Sequence, residues 1–234
     1  METLTLDQVH HELTSLSREK DVLNQGFELG TSWWRDELRR AGMEVLPPLG
    51  GDSTSIYLDR RTLFALASEV IDGSRDPRDF TFHVLLWGSG TTRRNNRGRI
   101  DSLIAPTTSP ALLDALQAAQ TSPSTAFDAF RSRGRNTFAY LGPAYFTKLM
   151  YFAGQGRPTH PALIVDRRVL ATLAGTEPGS GLSTAANYPR ETYLRACSAL
   201  EAIAASARDS GHPELTGCTA DLVERWAFGR AALN

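Results

Sequence analysis

Lysine is nearly missing from this 234-residue chain: Lys20 and Lys148 stand beside 23 arginines. A genome rich in G and C produces such a ratio by itself. The scarcity still singles out Lys148, because arginine stays protonated and cannot act as an amine nucleophile, whereas a buried lysine can. Cysteine is as rare. Cys197 and Cys218 are too few for a four-cysteine iron–sulfur cluster or a cysteine-based structural zinc site. They offer no disulfide framework, which fits a reducing compartment. No apolar run approaches the ~20 residues of a membrane span, and residues 1–14 lack the basic start and apolar stretch of a secretory signal. The expectation is a soluble, cytoplasmic protein. His10, His11, His83, His160 and His212 have no metal-ligand spacing, and no glycine-rich phosphate cradle is present, so no metal and no other cofactor is implied.

The net charge of −1 hides an uneven spread. Across residues 87–170 eleven basic residues stand against four acidic ones, a net +7, and the remainder carries −8. A basic middle of this kind is either a nucleic-acid surface or a set of solvated helix faces paired with the acidic frame.

Apolar residues recur at spacings of three and four, with abundant alanine and leucine and little valine or isoleucine. This predicts an all-α protein of about ten helices. Residues 1–234 form a single unit, with room for two helical subdomains flanking a cleft. Helices are expected over 6–23, 32–43, 59–71, 79–87, 110–120, 123–131, 188–207 and 219–231. Ser109-Pro110 and Ser122-Pro123 supply the cap and first residue of two of them. Pro47-Pro48-Leu49-Gly50-Gly51 and Gly88-Ser89-Gly90 interrupt the pattern, and 93–101 reads as a basic loop.

Residues 136–170 carry the most chemical content. Leu141-Gly142-Pro143 predicts a tight break between two helices, with Gly142 left-handed at the end of the first. Pro143 then takes the first position of a second helix over 144–153. The amides of Ala144, Tyr145 and Phe146 at that helix start would offer a seat for a phosphate. Lys148 lies one turn inside, among Phe146, Leu149, Met150 and Phe152. Its amine is either partly desolvated, and so partly available as a nucleophile, or extended to water from a helix flank. Gly154 to Pro161 reverses the chain, Ala162-Leu163-Ile164-Val165 is a buried stretch, and Asp166 caps the helix that follows. The reversal places a helix-borne amine and a capping carboxylate where they meet in one cleft.

A helix, a glycine-containing hairpin, a lysine on the second helix and an aspartate eighteen residues later resemble the helix-hairpin-helix DNA glycosylase superfamily. Thr147-Lys148, followed by Ile164-Val165-Asp166-Arg167-Arg168-Val169-Leu170, is most similar to the bifunctional 8-oxoguanine DNA glycosylases. Leu141 to Lys148 also resembles a bacterial branch with that fold. The family hairpin has glycines two and four residues before the lysine, where this chain has Phe146 and Ala144.

The resemblance implies a helix-hairpin-helix glycosylase-like bundle acting on double-stranded DNA with a flipped, modified base. Lys148 would be the nucleophile at C1′, with Asp166 stabilising positive charge on the sugar, and a Schiff base would add abasic-site lyase activity. Gly142, Pro143, Ala144, Tyr145 and Phe146, with Arg167 and Arg168, would hold phosphates. Arg93, Arg94, Arg97, Arg99, Arg131, Arg133 and Arg135 would extend the track. Trp87, then Trp33 and Trp34, are candidates for the base pocket or else core aromatics. The implied base is 8-oxoguanine, or a bulky modified base of invading phage DNA. The rival readings are a non-catalytic DNA-binding module and a helical interaction domain in which Lys148 and Asp166 form an ion pair.

Overall fold

The computed structural model describes residues 3–231 and is dominated by helices. Eleven α-helices occur among those residues: α1 (Leu6–Leu13), α2 (Ser32–Arg40), α3 (Arg60–Ile71), α4 (Pro77–Ser89), α5 (Asn96–Leu103), α6 (Thr108–Ala119), α7 (Pro123–Phe130), α8 (Pro143–Phe152), α9 (Arg167–Ala174), α10 (Arg190–Arg208) and α11 (Ala220–Arg230). The all-α architecture is therefore present. No helix among the described residues is long and apolar enough to cross a membrane.

Helices α4 and α8 form the centre. Both are buried nearly all round, α4 through Phe80, Phe82, Val84, Leu85, Leu86 and Trp87, and α8 through Phe146, Leu149, Met150, Tyr151 and Phe152. A helix without a polar face must be enclosed by others. Here α3, α6 and α7 pack around the pair. Phe146 stacks on Phe130, with ring centroids 5.3 Å apart, and meets Phe127 edge-on at 5.0 Å.

Starts and stops follow local chemistry. Asp59, Asp76 and Ser122 accept backbone N–H groups at the starts of α3, α4 and α7, and Pro77 and Pro123 occupy first positions. The expected 6–23 helix is broken. Helix α1 ends at Leu13, and Ser17 caps a separate π-helical turn, Arg18–Leu23. Helix α6 starts at Thr108, so Pro110 is not its first residue, and Ser109 instead donates to Asp76.

Four short strands escaped the periodicity. β1 (Gly26–Gly30) pairs antiparallel with β2 (Ser55–Asp59), Phe27 opposite Leu58. The two-residue strands β3 (Arg131–Ser132) and β4 (Arg135–Asn136) form a small hairpin. Residues 93–101 are not a loop, because α5 occupies most of them. Asn96 bonds Ser89 Oγ and the Thr92 carbonyl, and buried Arg99 donates to the Tyr140 carbonyl at 3.0 Å. These tertiary bonds outweigh the weak helix propensity of an Asn- and Gly-containing stretch. Gly142 is corrected as well. Its backbone is extended (φ −80°, ψ 178°), no α-helix immediately precedes it, and the left-handed residue is Tyr140 at φ 62°.

One side chain joins α8 to the segment that leads into α9. Thr147 donates to the Pro143 carbonyl at 2.8 Å and accepts the Val165 N–H at 3.2 Å. Tyr188, whose phenol burial pushes well above its ordinary range, donates to the Val165 carbonyl at 2.6 Å. Thr147→Val keeps the shape and leaves the Val165 N–H buried without a partner. The expected cost is about 1–3 kcal/mol, at roughly 2–4 °C of Tm per kcal/mol for a chain of this size. Thermal unfolding of the variant at the wild-type Tm would contradict this role.

Candidate active site

The stitch leaves Lys148 and Asp166 one residue beyond its two ends, and both line one half-open cavity of about 230 Å³. Lys148 reaches it across α4. Its stem lies on Gly88, where an added Cβ would stand 3.1 Å from Lys148 Cδ and 3.3 Å from Cε. The side chain is buried, and Nζ donates to the Ala144 carbonyl at 2.6 Å. Asp166 caps α9 with one oxygen, Oδ1, which accepts the N–H groups of Arg168 at 2.9 Å and Val169 at 3.1 Å. Oδ2 has no partner among the described residues. The two side chains form no ion pair, so neither is spent on the other.

Exposure orders the rest of the cavity from rim to floor. Phe27 on β1 is 44% exposed and stands at the rim, its ring centroid 6.1 Å from that of Trp87. Phe228 on α11 lines the cavity too, with the Arg168 guanidinium over its ring, 4.2 Å from the centroid. Arg60 and Glu224, each 1% exposed, make an ion pair of 2.8 Å at the floor. Gln25 accepts from Arg60 Nε at 2.8 Å. The Arg60 guanidinium lies over the rings of Trp87 and Tyr151, 5.6 and 5.1 Å from their centroids. Burial works against its charge, yet Glu224 and Tyr151 beside it hold it above its ordinary range. Burial pushes the Glu224 carboxyl up, and the Arg60 guanidinium opposes that rise.

Of the residues singled out in the sequence, Lys148, Asp166 and Trp87 come together in this cavity. Trp33 and Trp34 do not line it. They meet edge to face on α2 at 5.4 Å, Trp34 in the core and Trp33 beneath Arg93. The first turn of α8 is less open than expected. The Gly142 carbonyl takes the N–H groups of Tyr145 and Phe146 at 2.9 and 3.1 Å, and the Phe146 side chain is fully buried. Among the three amides only that of Ala144 is left without a protein acceptor. Arg97 is committed to Glu37, and Arg99 lies buried with its guanidinium 3.8 Å from the Tyr145 ring centroid. Arg93, Arg94, Arg133, Arg135 and Arg167 remain exposed. Among the described residues no cluster of three His, Cys, Asp or Glu side chains is placed to hold a metal ion.

Sequence reasoning missed Gln25, Phe27, Arg60, Glu224 and Phe228. One signal was there to read: Glu224, with Arg225 beside it, stands on α11 between the apolar pairs Leu222-Val223 and Trp226-Ala227. A charge on a buried helix face needs a partner, although nothing local says that the partner is Arg60.

The family model described as "Putative 8-oxoguanine DNA glycosylase OGG-like protein" matches residues 20–228, a span that includes every cavity residue named above and all but the last two residues of α11. No curated protein and no solved structure matches the chain.

The Glu37 clamp on Arg97 has a consequence for acid stability. Hydrogen bonds from Arg97 and Arg40 hold the Glu37 carboxyl down at about 2, against an ordinary value of 4.5. A depressed carboxyl stabilises the fold fully above its unfolded value, and the stabilisation fades as pH falls toward the folded one. Urea midpoints followed from neutral pH down to about 3 should fall more steeply for wild type than for Glu37→Gln. Parallel curves would show that the clamp contributes nothing.

Proposed function

The chain belongs to the OGG-like family, and from this we propose that it excises a modified base from duplex DNA, 8-oxoguanine first among candidates, and then cleaves the abasic site through a lysine Schiff base. One observation carries the assignment of residues: a buried amine and a capping carboxylate line the same cavity without pairing to each other. The interaction-domain reading required the ion pair that is missing.

The sugar carbon C1′ is shielded inside a stacked duplex, so the nucleotide must swing out into the cavity, at a cost of a few kcal/mol. A neutral Lys148 amine that donates one N–H to the Ala144 carbonyl keeps its lone pair for attack. The N–C1′ bond forms as the bond from C1′ to the base breaks. The departing base takes the electron pair and a proton. Asp166 Oδ2 offsets the positive charge that develops on the sugar. Opening of the sugar then gives the Schiff base to Lys148, loss of a C2′ proton follows, and the 3′-phosphate leaves. Exposed Arg93, Arg94 and Arg167, with the Ala144 amide, would neutralise phosphates along the bound strand.

The cavity volume of about 230 Å³ lies below the ~300–1,000 Å³ of sites for drug-sized ligands. That supports a single base as the occupant over a base carrying a bulky appended group.

Borohydride reduction in the presence of DNA containing 8-oxoguanine should give a covalent complex with wild type and none with Lys148→Ala. Asp166→Asn should stay folded and lose about 10²–10⁴-fold in the rate of base release. A wild-type protein that binds duplex DNA but neither traps nor releases a base across a panel of lesions would be a binding module instead.

A further inference from the structure

The proposed chemistry needs an amine and a carboxylate that share one cavity without pairing to each other. Lys148 and Asp166 meet that condition: Nζ turns back to the Ala144 carbonyl of its own helix, 2.6 Å away, and not to Asp166. A lysine amine sits on a flexible four-carbon stem, so its direction depends on what holds the stem. Gly88 of α4 gives one wall. Tyr145 gives the other, since it lies three residues before Lys148 and so on the same face of α8. A Cβ placed on Gly88 would stand 3.1 Å from Lys148 Cδ and 3.7 Å from Tyr145 Cε1, so glycine, stem and ring converge at one point. Nζ lies 5.8 Å from the centroid of that ring.

The ring is itself pinned. Arg99 Cζ lies 3.8 Å from its centroid, and the Tyr145 hydroxyl stands 3.4 Å from Ser89 Oγ on the last turn of α4. Asn96 closes the circuit. Its Nδ2 donates to Ser89 Oγ at 3.1 Å, and its Oδ1 accepts from Arg99 Nη1. Arg99 is an odd choice for a merely structural contact. It is 7% exposed, and its acceptors are all neutral: the Tyr140 carbonyl, the Arg94 carbonyl and the Asn96 amide. Burial holds its guanidinium below its ordinary range. A buried charge is normally matched by an opposite one, and an apolar side chain would join α5 to α8 without the loss of hydration. What the guanidinium adds is directed bonds that fix its plane, with a flat face left for an aromatic ring.

We propose that Tyr145, pinned by Arg99, is a positioning residue that holds the Lys148 stem against Gly88 and so keeps the amine from closing onto Asp166. Without the ring the stem swings toward Asp166 Oδ2, which has no partner among the described residues, and the ion pair spends the nucleophile and the carboxylate together. The inference rests on the glycosylase reading of Lys148 and Asp166.

The test follows the amine alone, on duplex DNA with a preformed abasic site and with protein in saturating excess. There Lys148 condenses with the C1′ aldehyde, water leaves, and borohydride reduces the C=N bond, so the trapping rate reports access of the amine without base release. Tyr145→Ala should trap about 10²-fold more slowly, the scale of a small misplacement of a reacting group. Tyr145→Phe keeps the ring and should recover most of that loss. The deciding variant adds Asp166→Asn to Tyr145→Ala. Asparagine still caps a helix but offers no charge to the amine, so the double variant should trap about 10-fold faster than Tyr145→Ala or better. Asp166→Asn alone should trap no faster than wild type. A Tyr145→Ala protein that traps at the wild-type rate overturns the assignment, and so does a double variant no faster than Tyr145→Ala. Should Tyr145→Ala fail to fold, Arg99→Met carries the test: the ring stays but loses its pin, trapping should slow, and Asp166→Asn should again restore it. Unchanged trapping by Arg99→Met, or slowing that Asp166→Asn does not relieve, overturns the assignment equally. Any of these failures in a wild-type protein that does trap overturns this inference alone. A wild-type protein that traps no abasic DNA overturns the glycosylase reading and this inference with it.

Discussion

Thr147 and Val165 are hydrogen-bonded across eighteen residues of chain, and each is the immediate neighbour of a proposed catalytic residue. That contact fixes the candidate site. The Thr147 hydroxyl is held by the Pro143 carbonyl of its own helix and by the Val165 N–H, while Tyr188 takes the Val165 carbonyl from the other side. Both polar groups of the Val165 backbone are therefore satisfied inside the core, as a buried segment requires. The chain can then turn into α9 with Asp166 as its cap. A carboxylate used as a cap has a fixed position, since two backbone N–H groups hold Oδ1, and its second oxygen is aimed by the same bonds. On the proposed reading of Asp166, capping and charge stabilisation are one arrangement.

The amine is positioned by sterics. Gly88 lies where α4 passes α8, and the stem of Lys148 fills the space that any larger residue would occupy. The last turn of α4, which contains this glycine, also brings Trp87 and Ser89 to the cavity. Read locally, Gly88-Ser89-Gly90 is a stop signal. In the fold, α4 continues through Ser89 and only Gly90, at φ 55°, ends it. The first glycine answers to packing and the second to backbone geometry, a distinction invisible without the partner helix.

Much of the helical frame was legible because caps and prolines act within four residues: Asp59, Asp76, Ser122 and Asp166 each behave as their position predicts. The Lys148–Asp166 pairing in one cavity was legible too, through a chain reversal short enough to follow. The floor was not. Arg60 and Glu224 are 164 residues apart, and nothing near either one in the sequence names the other as its partner. Helix α5 was hidden for a similar reason, since its stability comes from Asn96 and Arg99 bonding to distant chain rather than from propensity. The β1–β2 pair was too short and too glycine-flanked to show a period of two.

The basic middle of the chain, a net +7 over residues 87–170, must be reread in this light. Arg97 is neutralised by Glu37, Arg99 is sealed behind the Tyr145 ring, Arg131 bonds Asn136, Arg157 turns back onto the Gly154 carbonyl, and Arg168 lies on Phe228. What reaches solvent uncommitted is narrower: Arg94 before α5, Arg133 and Arg135 on the β3–β4 hairpin, and Arg167 at the start of α9. Arg93 adds to these from above Trp33. Charge counted along a sequence therefore overstates the field offered to a polyanion, because part of it serves to hold helices in place. The surviving cations are few, and Arg167 and Arg94 flank elements that line the cavity. On the proposed reading, so limited a basic surface gives modest affinity from phosphates alone, and discrimination falls to the cavity that Lys148 and Asp166 line.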